Sequence, residues 1–462
     1  MTGNSPQELV ERALEASTAD GCVVLVDAST SANLRWANNT LTTNGMMQGS
    51  EVTVISTVDG GKGVASSALT RSASTVDEVQ VLVEAADAAA REAGPAEDAA
   101  PLIEGGDDPT WDDVPASTSI TVFDTFAPAL GEAFARARSD DRLLYGYVEH
   151  TVDTVYLGSS SGLRRRHAQP TGHVGITGKS GDLTRSAWVG QSTRDFSDVD
   201  ALGLDTELER RLGWAKETVA LPADRYDTIL PPAAVADLLI YAYWTSSARD
   251  AYEGQTVYSK TGGGTRVGER LTKTGVNVYS DPAYPGLQCT PFVTAAASSS
   301  VSSVFDNGLA LGHTDWINDG TLTSLAQTRH SAELTGLPVT PAIDNLVMKV
   351  DGASGSIDDL IAGVERGLLL TCLWYIREVD PQTLLLTGLT RDGVYLVENG
   401  EVTGAVNNFR FNESPIDLLE RFTAVAQTEA SFSREWGDYF PRTATPALRV
   451  PDFNMSTVSQ AL

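Results

Sequence analysis

The chain has 462 residues, a length at which a single hydrophobic core usually stops growing, so two domains are expected. Hydrophobic residues make up 42% of the sequence, which is ample for burial, whereas the formal net charge is −28. Because phosphate contacts need a basic face, this charge argues against nucleic acid and against an anionic membrane as partners.

The beginning of the chain predicts a folded helix rather than a signal peptide. Ser5 and Glu8 have the spacing of a capping box, in which each side chain binds the backbone N–H of the other residue. No run of about 18 apolar residues is present, so a transmembrane span is not expected. A disulfide framework is not expected either, because the three cysteines are widely separated: Cys22, Cys289 and Cys372. A reducing cytoplasm fits these features best.

The first part of the chain alternates predicted strands with helices. Three strands are expected before the second helix: Cys22–Val26, Leu34–Ala37 and Val52–Val58. That helix covers Val76–Ala93 with Ser74 or Thr75 as its cap, and the acidic stretch from Pro95 to Pro115 predicts a solvated loop. A helix, five short strands and a closing helix follow: Phe126–Arg138, Leu143–His150, Thr154–Leu157, Leu163–His167, His173–Thr177, Ala187–Gln191 and Glu207–Glu217.

The domain boundary is placed near Leu221 and Pro222. Residues 1–221 are then expected to form an α/β sandwich-like domain, and residues 222–462 a mainly antiparallel β domain with a few helices. The second domain opens with a strand and a helix and carries another helix near its end: Tyr226–Leu230, a helix from Pro231-Pro232, and Pro415 to about Ala426 with Ser414 as its cap. The predicted fold class is α+β.

Residues 366–402 combine an apolar strand, a mixed loop and a hairpin. Gly367–Ile376 is too short to span a bilayer and too apolar for a surface helix, so one buried strand is expected before the Asp380-Pro381 break. Val394–Glu398 predicts a second strand. Asn399-Gly400 then predicts a two-residue hairpin turn, because both residues tolerate the positive φ of a type I′ turn.

This order of features resembles the C-terminal domain of the TldD/PmbA family, bacterial proteins described as modulators of DNA gyrase and as metallopeptidases. Three further blocks follow the order of the family: SANLRWANNTLTTNG at 31–45, RYDTILPPAAVADLL at 225–239 and DNGLALGHTDWINDGTLTSL at 306–325. The resemblance covers nearly the whole chain and implies the fold of that family.

The resemblance also implies where a metal motif would lie. Catalytic members carry His-Glu-x-x-x-His in the helix after the strand that opens the C-terminal domain. In an alignment without gaps, Ile240 and Thr245 replace the two histidines and Tyr241 replaces the glutamate. None of these side chains serves as a zinc ligand or a carboxylate base, so we expect no zinc and no catalytic residue in this chain. Cys372, comparable to a further metal ligand of catalytic members, is interpreted as a buried strand thiol.

The helix that carries these positions predicts ordinary core packing instead. Val235, Leu238, Tyr241 and Trp244 recur at a spacing of three to four residues and would share one face.

The histidines of the chain suggest no other strong metal site. None of the five begins a His-Glu-x-x-His or His-Glu-x-x-x-His array: His150, His167, His173, His313 and His330. A substitute site of His167, His173 and Asp182 is the main alternative, but a histidine pair six residues apart on neighbouring strands is more typical of a surface. For His313-x-Asp315, which lies in a block that the family shares, a plain hydrogen-bonding role is the simpler interpretation.

Three glycine-rich stretches resemble motifs of other enzymes only superficially. Residues 158–162, Gly-Ser-Ser-Ser-Gly, match the nucleophile elbow around Ser160, but the following residues predict a return strand instead of the helix that an elbow needs. Gly178-Lys179-Ser180 lacks the first glycine of a P-loop, and residues 261–265 lack its lysine and hydroxyl pair. We therefore expect a turn at residues 158–162, a flexible loop at residues 261–265 and no nucleotide binding at either of the last two stretches.

The leading hypothesis is a non-catalytic PmbA/TldE-like subunit of a TldD/TldE-type metallopeptidase complex. The resemblance implies a zinc-bearing TldD-like partner subunit and unfolded peptides as substrates, plausibly held as an added strand. The acidic surface would favour basic peptides. Two alternatives remain open: a stand-alone hydrolase that uses a divergent metal site or Ser160, and a homodimeric peptide-binding scaffold. The sequence assigns no substrate-binding residue.

Overall fold

Two β-sheets organise the chain in a computed structural model that describes residues 3–459. The predicted α+β class is confirmed, because helices pack on sheets in which antiparallel strand pairs predominate. Within this described part, no helix is long and apolar enough to cross a membrane.

The first sheet and its helices come from residues 6–214. Its elements are α1 Pro6–Ala16, β1 Gly21–Ala37, β2 Thr40–Asp59, β3 Val64–Ser72, α2 Val76–Glu92, a 3₁₀ turn Ile120–Phe123, α3 Phe126–Ser139, β4 Arg142–Ser159, β5 Arg164–Ser180, β6 Ser186–Thr193 and α4 Ala201–Trp214. The sheet is antiparallel throughout, in the order β3-β2-β1-β4-β5-β6.

The second sheet comes from residues 218–458. Its elements are β7 Thr218–Val219, β8 Asp224–Leu230, α5 Pro232–Trp244, α6 Ala248–Tyr252, β9 Val276–Ser280, a 3₁₀ turn Val304–Asp306, β10 Thr314–Asn318, β11 Thr321–Leu322, α7 Arg329–Thr335, β12 Leu346–Val350, α8 Ile357–Ala362, β13 Arg366–Leu370, β14 Leu373–Asp380, β15 Leu385–Thr390, β16 Val394–Glu398, β17 Glu401–Val406, β18 Phe409–Glu413, α9 Pro415–Arg421, β19 Ala424–Ser431 and β20 Thr443–Val458. Three of its strand pairs are parallel: β12 with β20, β13 with β8, and β17 with β7.

The long strands of the first sheet are the main departure from the predicted elements. Cys22–Val26 and Leu34–Ala37 belong to the single strand β1, and the four strands expected between Leu143 and Thr177 form only β4 and β5. The polar middle of β1 stays extended because β2 and β4 pair with it on both sides. Its two halves meanwhile belong to different hydrophobic clusters, so the apolar pattern is interrupted while the strand continues.

Helix ends follow local capping in most places. Thr75, not Ser74, caps α2 through a reciprocal capping box with Glu78. Ser5 accepts the N–H of Glu8 at the start of α1, as expected. The last predicted helix is too long, since α9 ends at Arg421 and the chain enters β19 at Ala424. The helix expected from Glu207 begins six residues earlier, where Asp200 accepts two backbone N–H groups.

The signature at residues 366–402 is confirmed in part. Asn399 and Gly400 have φ of 52° and 82° and close the predicted hairpin between β16 and β17. The single strand predicted over Gly367–Ile376 is wrong, because the chain breaks after Leu370 and restarts as β14 at Leu373. The backbone N–H of Thr371 donates to the carbonyl of Gly393 at this break.

The two sheets meet where β5 and β6 approach the chain between β19 and β20. Ring contacts join His173 and Trp188 of the first sheet to Phe432. Further hydrogen bonds cross the same boundary, from Ser186 to Asp392 and from Arg442 to Thr171 (2.5 Å). This junction contains the site described next.

Candidate functional site

Helix α5 and its C-cap carry Ile240, Tyr241 and Thr245, the three residues that the sequence aligns with the family metal motif. Ile240 is fully buried in the core of the second sheet. Tyr241 packs its ring against Trp436, with 5.8 Å between centroids. Thr245 donates its hydroxyl to carbonyls of its own helix, Tyr241 at 3.1 Å and Ala242 at 3.2 Å. An aliphatic side chain, a packed phenol and an internally bonded hydroxyl do not fit a zinc ion.

No substitute metal cluster is found in residues 3–459, where no group of three or more His, Cys, Asp or Glu side chains is placed to hold an ion. His167 and His173 lie on the same strand, β5, and not on neighbouring strands as expected. At about 3.3 Å per residue, six residues separate them by about 20 Å. Asp182 binds Ser180 and Thr184 in the turn after β5.

Residues 158–162 form the predicted turn, and His313 forms the predicted hydrogen bond. Residues 158–162 connect β4 directly to β5, with no helix after the turn. Ser160 accepts the N–H of Cys22 at 3.0 Å, so its hydroxyl supports the turn. His313 binds Asp315 at 3.0 Å in an exposed position. The other two stretches are the end of β5 and an irregular loop at residues 261–265.

Cys372 is buried as predicted, but it lies in the break between β13 and β14 and not within a strand. Burial raises the pKa of its thiol, and Asp392 and Asp237 add to this effect against the opposing charge of Arg434. The thiol is therefore held in its neutral, unreactive form.

The packing of α5 differs from the predicted single face. Val235 and Leu238 lie in the core, but Trp244 is 40% exposed. Its ring contacts Trp436 at 5.2 Å and Phe440 at 6.3 Å. Aromatic contacts with residues 432–440, which we call the 432–440 segment, thus occupy the outer side of the helix.

Asp237 fastens the 432–440 segment to α5. It has no exposed surface, and one carboxyl oxygen accepts the Ser433 hydroxyl and the Glu435 N–H, the latter at 2.9 Å. The other oxygen is buried without a partner. Burial raises the pKa of Asp237 to about 7, an effect that the Ser433 and Glu435 hydrogen bonds oppose. The carboxyl group is thus poised between its neutral and charged forms near neutral pH.

Glu435 fastens the same segment to β14. Its carboxylate accepts the backbone N–H groups of Tyr375 at 3.0 Å and Ile376 at 3.2 Å. Tyr375 has a φ of 59°, and the pairing of β14 with β15 is irregular between Trp374 and Arg377. Glu435 therefore satisfies the donors that this irregularity exposes, and the segment is held at both α5 and β14.

A cavity of about 620 Å³ lies between the segment and the first sheet. We call it the aromatic cleft, and six of its lining residues are Tyr145, Tyr147, His173, Trp188, Phe432 and Arg434. Its floor is the sheet face opposite α3 and α4: Ala187 and Val189 point into the helical core, whereas Trp188 between them faces the cleft.

The ring of Phe432 lies over this floor, nearly parallel to the His173 ring. It is stacked on His173, with centroids 5.5 Å apart, and near Trp188 at 6.3 Å. Gly190 makes this approach possible, because a Cβ atom there would lie 2.8 Å from Phe432 Cδ1 and 2.4 Å from Trp188 Cζ2. Burial lowers the pKa of His173, although Asp438 and Glu149 oppose the shift, so the stacked imidazole is neutral at pH 7.

Arg434 forms the wall of the cleft between the two sheets. Its guanidinium carbon lies 5.1 Å from the centroid of the Trp188 ring and 4.4 Å from that of the Trp374 ring, so it makes cation–π contacts with two tryptophans. The lining contains two arginines, Arg35 and Arg434, against one carboxylate, Asp438. In a chain with 61 acidic and 33 basic residues, this balance is the reverse of the average.

The aromatic cleft could not be recognised from the sequence. Its parts are more than 200 residues apart along the chain, and they meet only when the sheets pack. The one local signal is Trp188 next to Gly190 in a strand with an alternating pattern, together with the aromatic-rich stretch FSREWGDYF at 432–440.

The fold is similar to solved structures over nearly its whole length. TldE from Thermococcus kodakarensis matches with a TM-score of 0.78 at 18% identity, covering 97% of this chain and 99% of that one. A candidate modulator of DNA gyrase from Thermotoga maritima matches with a TM-score of 0.76 at 15% identity (97% and 99% covered). One from Bacteroides thetaiotaomicron gives 0.75 at 14% identity (98% of each). At these identities the likeness shows the fold.

Comparison with curated proteins finds no match. The sequence profile described as the PmbA/TldA metallopeptidase C-terminal domain, however, matches residues 223–457. This match covers half of the chain and includes α5, the 366–402 signature and the 432–440 segment. The resemblance found in the sequence is thereby confirmed: the chain belongs to the PmbA/TldD family of metallopeptidase-like proteins.

Proposed function

We propose that this chain is a non-catalytic, TldE-like subunit that assembles with a zinc-bearing, TldD-like metallopeptidase and helps to bind unfolded peptides. The observation that carries the proposal is the filling of the metal positions on α5. Ile240 is core, Tyr241 packs on Trp436, and Thr245 caps its own helix. A family member with this helix needs its zinc and its catalytic base from another chain.

An exposed group of aromatic side chains beside α5 supports assembly with a partner. Trp244, Tyr375 and Tyr439 are 40%, 58% and 76% exposed, and we call them the aromatic rim. All three adjoin the same two residues of the 432–440 segment: the Trp244 ring contacts Trp436, Tyr375 binds Glu435 through its N–H, and the Tyr439 N–H donates to the Trp436 carbonyl. Exposed apolar groups next to one another are typical of a surface that another protein covers.

The aromatic cleft supports the binding of peptides. It is concave, it is lined by rings with a few polar groups, and it lies beside the rim. We propose that the TldD-like subunit covers the rim and that the cleft continues the surface on which the substrate lies. In this arrangement the subunit positions the peptide, and zinc in the partner supplies the metal chemistry.

Affinity purification from the native cell tests the assembly. We expect a relative with His-Glu-x-x-x-His to co-purify, zinc to follow that relative, and peptidase activity on an unfolded peptide to require both chains. Tyr375→Glu with Tyr439→Glu should abolish co-purification, because two charges would enter the interface. Met46→Glu with Met47→Glu is the matched control: these residues are 56% and 61% exposed on β2 of the first sheet, whereas the rim residues belong to the second half of the chain.

Two results would count against the proposal. If the purified chain alone cleaves unfolded peptides and chelators stop the reaction, it carries its own metal site. If it forms only homodimers and no metal-bearing relative co-purifies, the homodimeric scaffold is the better description.

A further inference from the structure

Arg434 is a cation without a counter-ion in the aromatic cleft. Among the described residues, no hydrogen bond or ion pair from its guanidinium is found, and Nε is buried without a partner. Its guanidinium lies against two tryptophan rings, Trp188 and Trp374. A guanidinium has five N–H donors, and the one on Nε, which is buried without an acceptor, costs free energy.

Other arginines at the junction of the two sheets are satisfied. A second cavity of about 430 Å³ contains Arg194 and Arg442. Arg194 donates to the Gln288 side chain at 2.8 Å, and Arg442 is paired with Asp344 and also donates to Thr171. The unpaired state of Arg434 is therefore a local property of the aromatic cleft and not a general feature of the junction.

The carboxyl groups near Arg434 form no ion pair with it. Asp237 binds Ser433 and Glu435 on the α5 side of the segment, and Glu435 binds two backbone N–H groups of β14. Asp438 is 3.7 Å from the His173 imidazole across the cleft. None of these three forms an ion pair with Arg434, so the fold itself supplies no acceptor for the guanidinium.

We infer that Arg434 binds a carboxylate of the peptide that lies in the aromatic cleft. The inference rests on the proposed function and names the chemical class of the ligand. Contact with the two tryptophan rings holds the guanidinium at the cleft, and its planar fork suits bidentate binding of a carboxylate. The rings of Tyr145 and Tyr147, which line the cleft and are only partly buried, then offer apolar contact to the neighbouring part of the peptide.

The source of the carboxylate can be the C-terminus of the peptide or an Asp or Glu side chain. Both have the same two oxygens, and the cleft is large enough for a short peptide segment in either case. This specificity differs from the preference for basic peptides expected from the net charge alone, because Arg434 acts at contact distance and the surface charge acts at long range.

Three fluorescent peptides of one neutral sequence separate these sources by fluorescence anisotropy with the full-length chain. The first has a free C-terminus and a central Gln, the second an amidated C-terminus and a central Gln, and the third an amidated C-terminus and a central Glu. We expect the first or the third to bind at least tenfold more tightly than the second, and the peptide that gains identifies the source.

Substitutions then assign the effect to Arg434. Arg434→Gln should remove the advantage of the carboxylate peptide, and Arg434→Lys should keep only part of it, because lysine retains the charge but not the fork. Arg71→Gln is the matched control, since Arg71 is an exposed arginine on β3, at the opposite edge of the sheet from β6. It should keep the full advantage.

The outcomes distinguish this inference from the proposed function. Equal binding of all three peptides would overturn the carboxylate inference and leave peptide binding intact. A full advantage in both Arg434 variants would also overturn it. If no peptide binds the chain alone or with its metal-bearing relative, the peptide-binding part of the proposed function fails together with the inference.

Discussion

Helix α5 and the aromatic cleft lie on two sides of the 432–440 segment and use their side chains in opposite ways. On α5, the residues aligned with the family metal motif make core and aromatic contacts. In the cleft, Arg434 and the rings of Trp188 and Phe432 face an open cavity. Two sides of one segment can therefore differ in kind: one is packed like a core, and the other borders a cavity with an unpaired cation.

The largest effect is expected from Ile240→His, which restores one histidine of the family motif. Because Ile240 is fully buried, the change removes apolar contacts and buries an imidazole without a partner, at a cost of about 3–5 kcal/mol in the free energy of unfolding. Denaturant unfolding measures this cost.

Thr245→His is the control, because Thr245 is only partly buried at the end of α5 and its substitution should cost about 1 kcal/mol or less. Added zinc should leave the melting temperature of both variants unchanged. A rise of several degrees with zinc would show that α5 retains a metal-competent geometry, contrary to the comparison above.

A smaller effect is expected from the pH dependence of Asp237, which joins the two regions. Since burial raises its pKa to about 7, the folded state binds this proton more tightly than the unfolded chain. The resulting stabilisation is complete below the pKa of an unfolded aspartate, about 4, and is lost as the pH rises through about 7. Between pH 5 and pH 8 the loss is on the order of 3 kcal/mol.

Asp237→Asn isolates this effect, because asparagine keeps an oxygen for the Ser433 hydroxyl and the Glu435 N–H but does not ionise. The free energy of unfolding, measured from pH 5 to pH 8, should fall less steeply in the variant than in the wild type. Identical slopes would mean that Asp237 does not change its protonation in this range.

The smallest effect concerns the floor of the cleft. Gly190→Ala places a Cβ atom too close to the rings of Trp188 and Phe432, and should cost about 1–2 kcal/mol and weaken peptide binding. In Gly213→Ala, by contrast, the added Cβ meets no atom within 4 Å on α4, so stability should be unchanged or raised by up to about 1 kcal/mol. If the two variants bind peptide with equal affinity, the position of Phe432 does not affect peptide recognition.

The parts of the fold that local chemistry determines could be predicted from the sequence. The Asn399-Gly400 turn, the Thr75 cap and the helix after β8 depend on residues next to one another. The continuity of β1, β4 and β5 could not be predicted, because pairing with neighbouring strands keeps polar stretches extended where the apolar pattern is interrupted. The break at Thr371 and Cys372 could not be predicted either, because apolar residues stand on both sides of it.

The same distinction between local and long-range contacts applies to the candidate site. The alignment of Ile240, Tyr241 and Thr245 with the family motif could be made from the sequence alone, because that motif is contiguous. The contacts of Arg434 with two tryptophans could not be predicted. Trp188 and Trp374 come from different sheets, and only packing brings them to the same side chain.

The most direct test of the central claim is the hydrolysis of an unfolded peptide by this chain alone, by its metal-bearing relative alone, and by the two together. We predict no hydrolysis by this chain alone and full activity only in the mixture. A chelator should stop the reaction of the mixture. Chelator-sensitive hydrolysis by this chain alone, at the rate of the mixture, would contradict it.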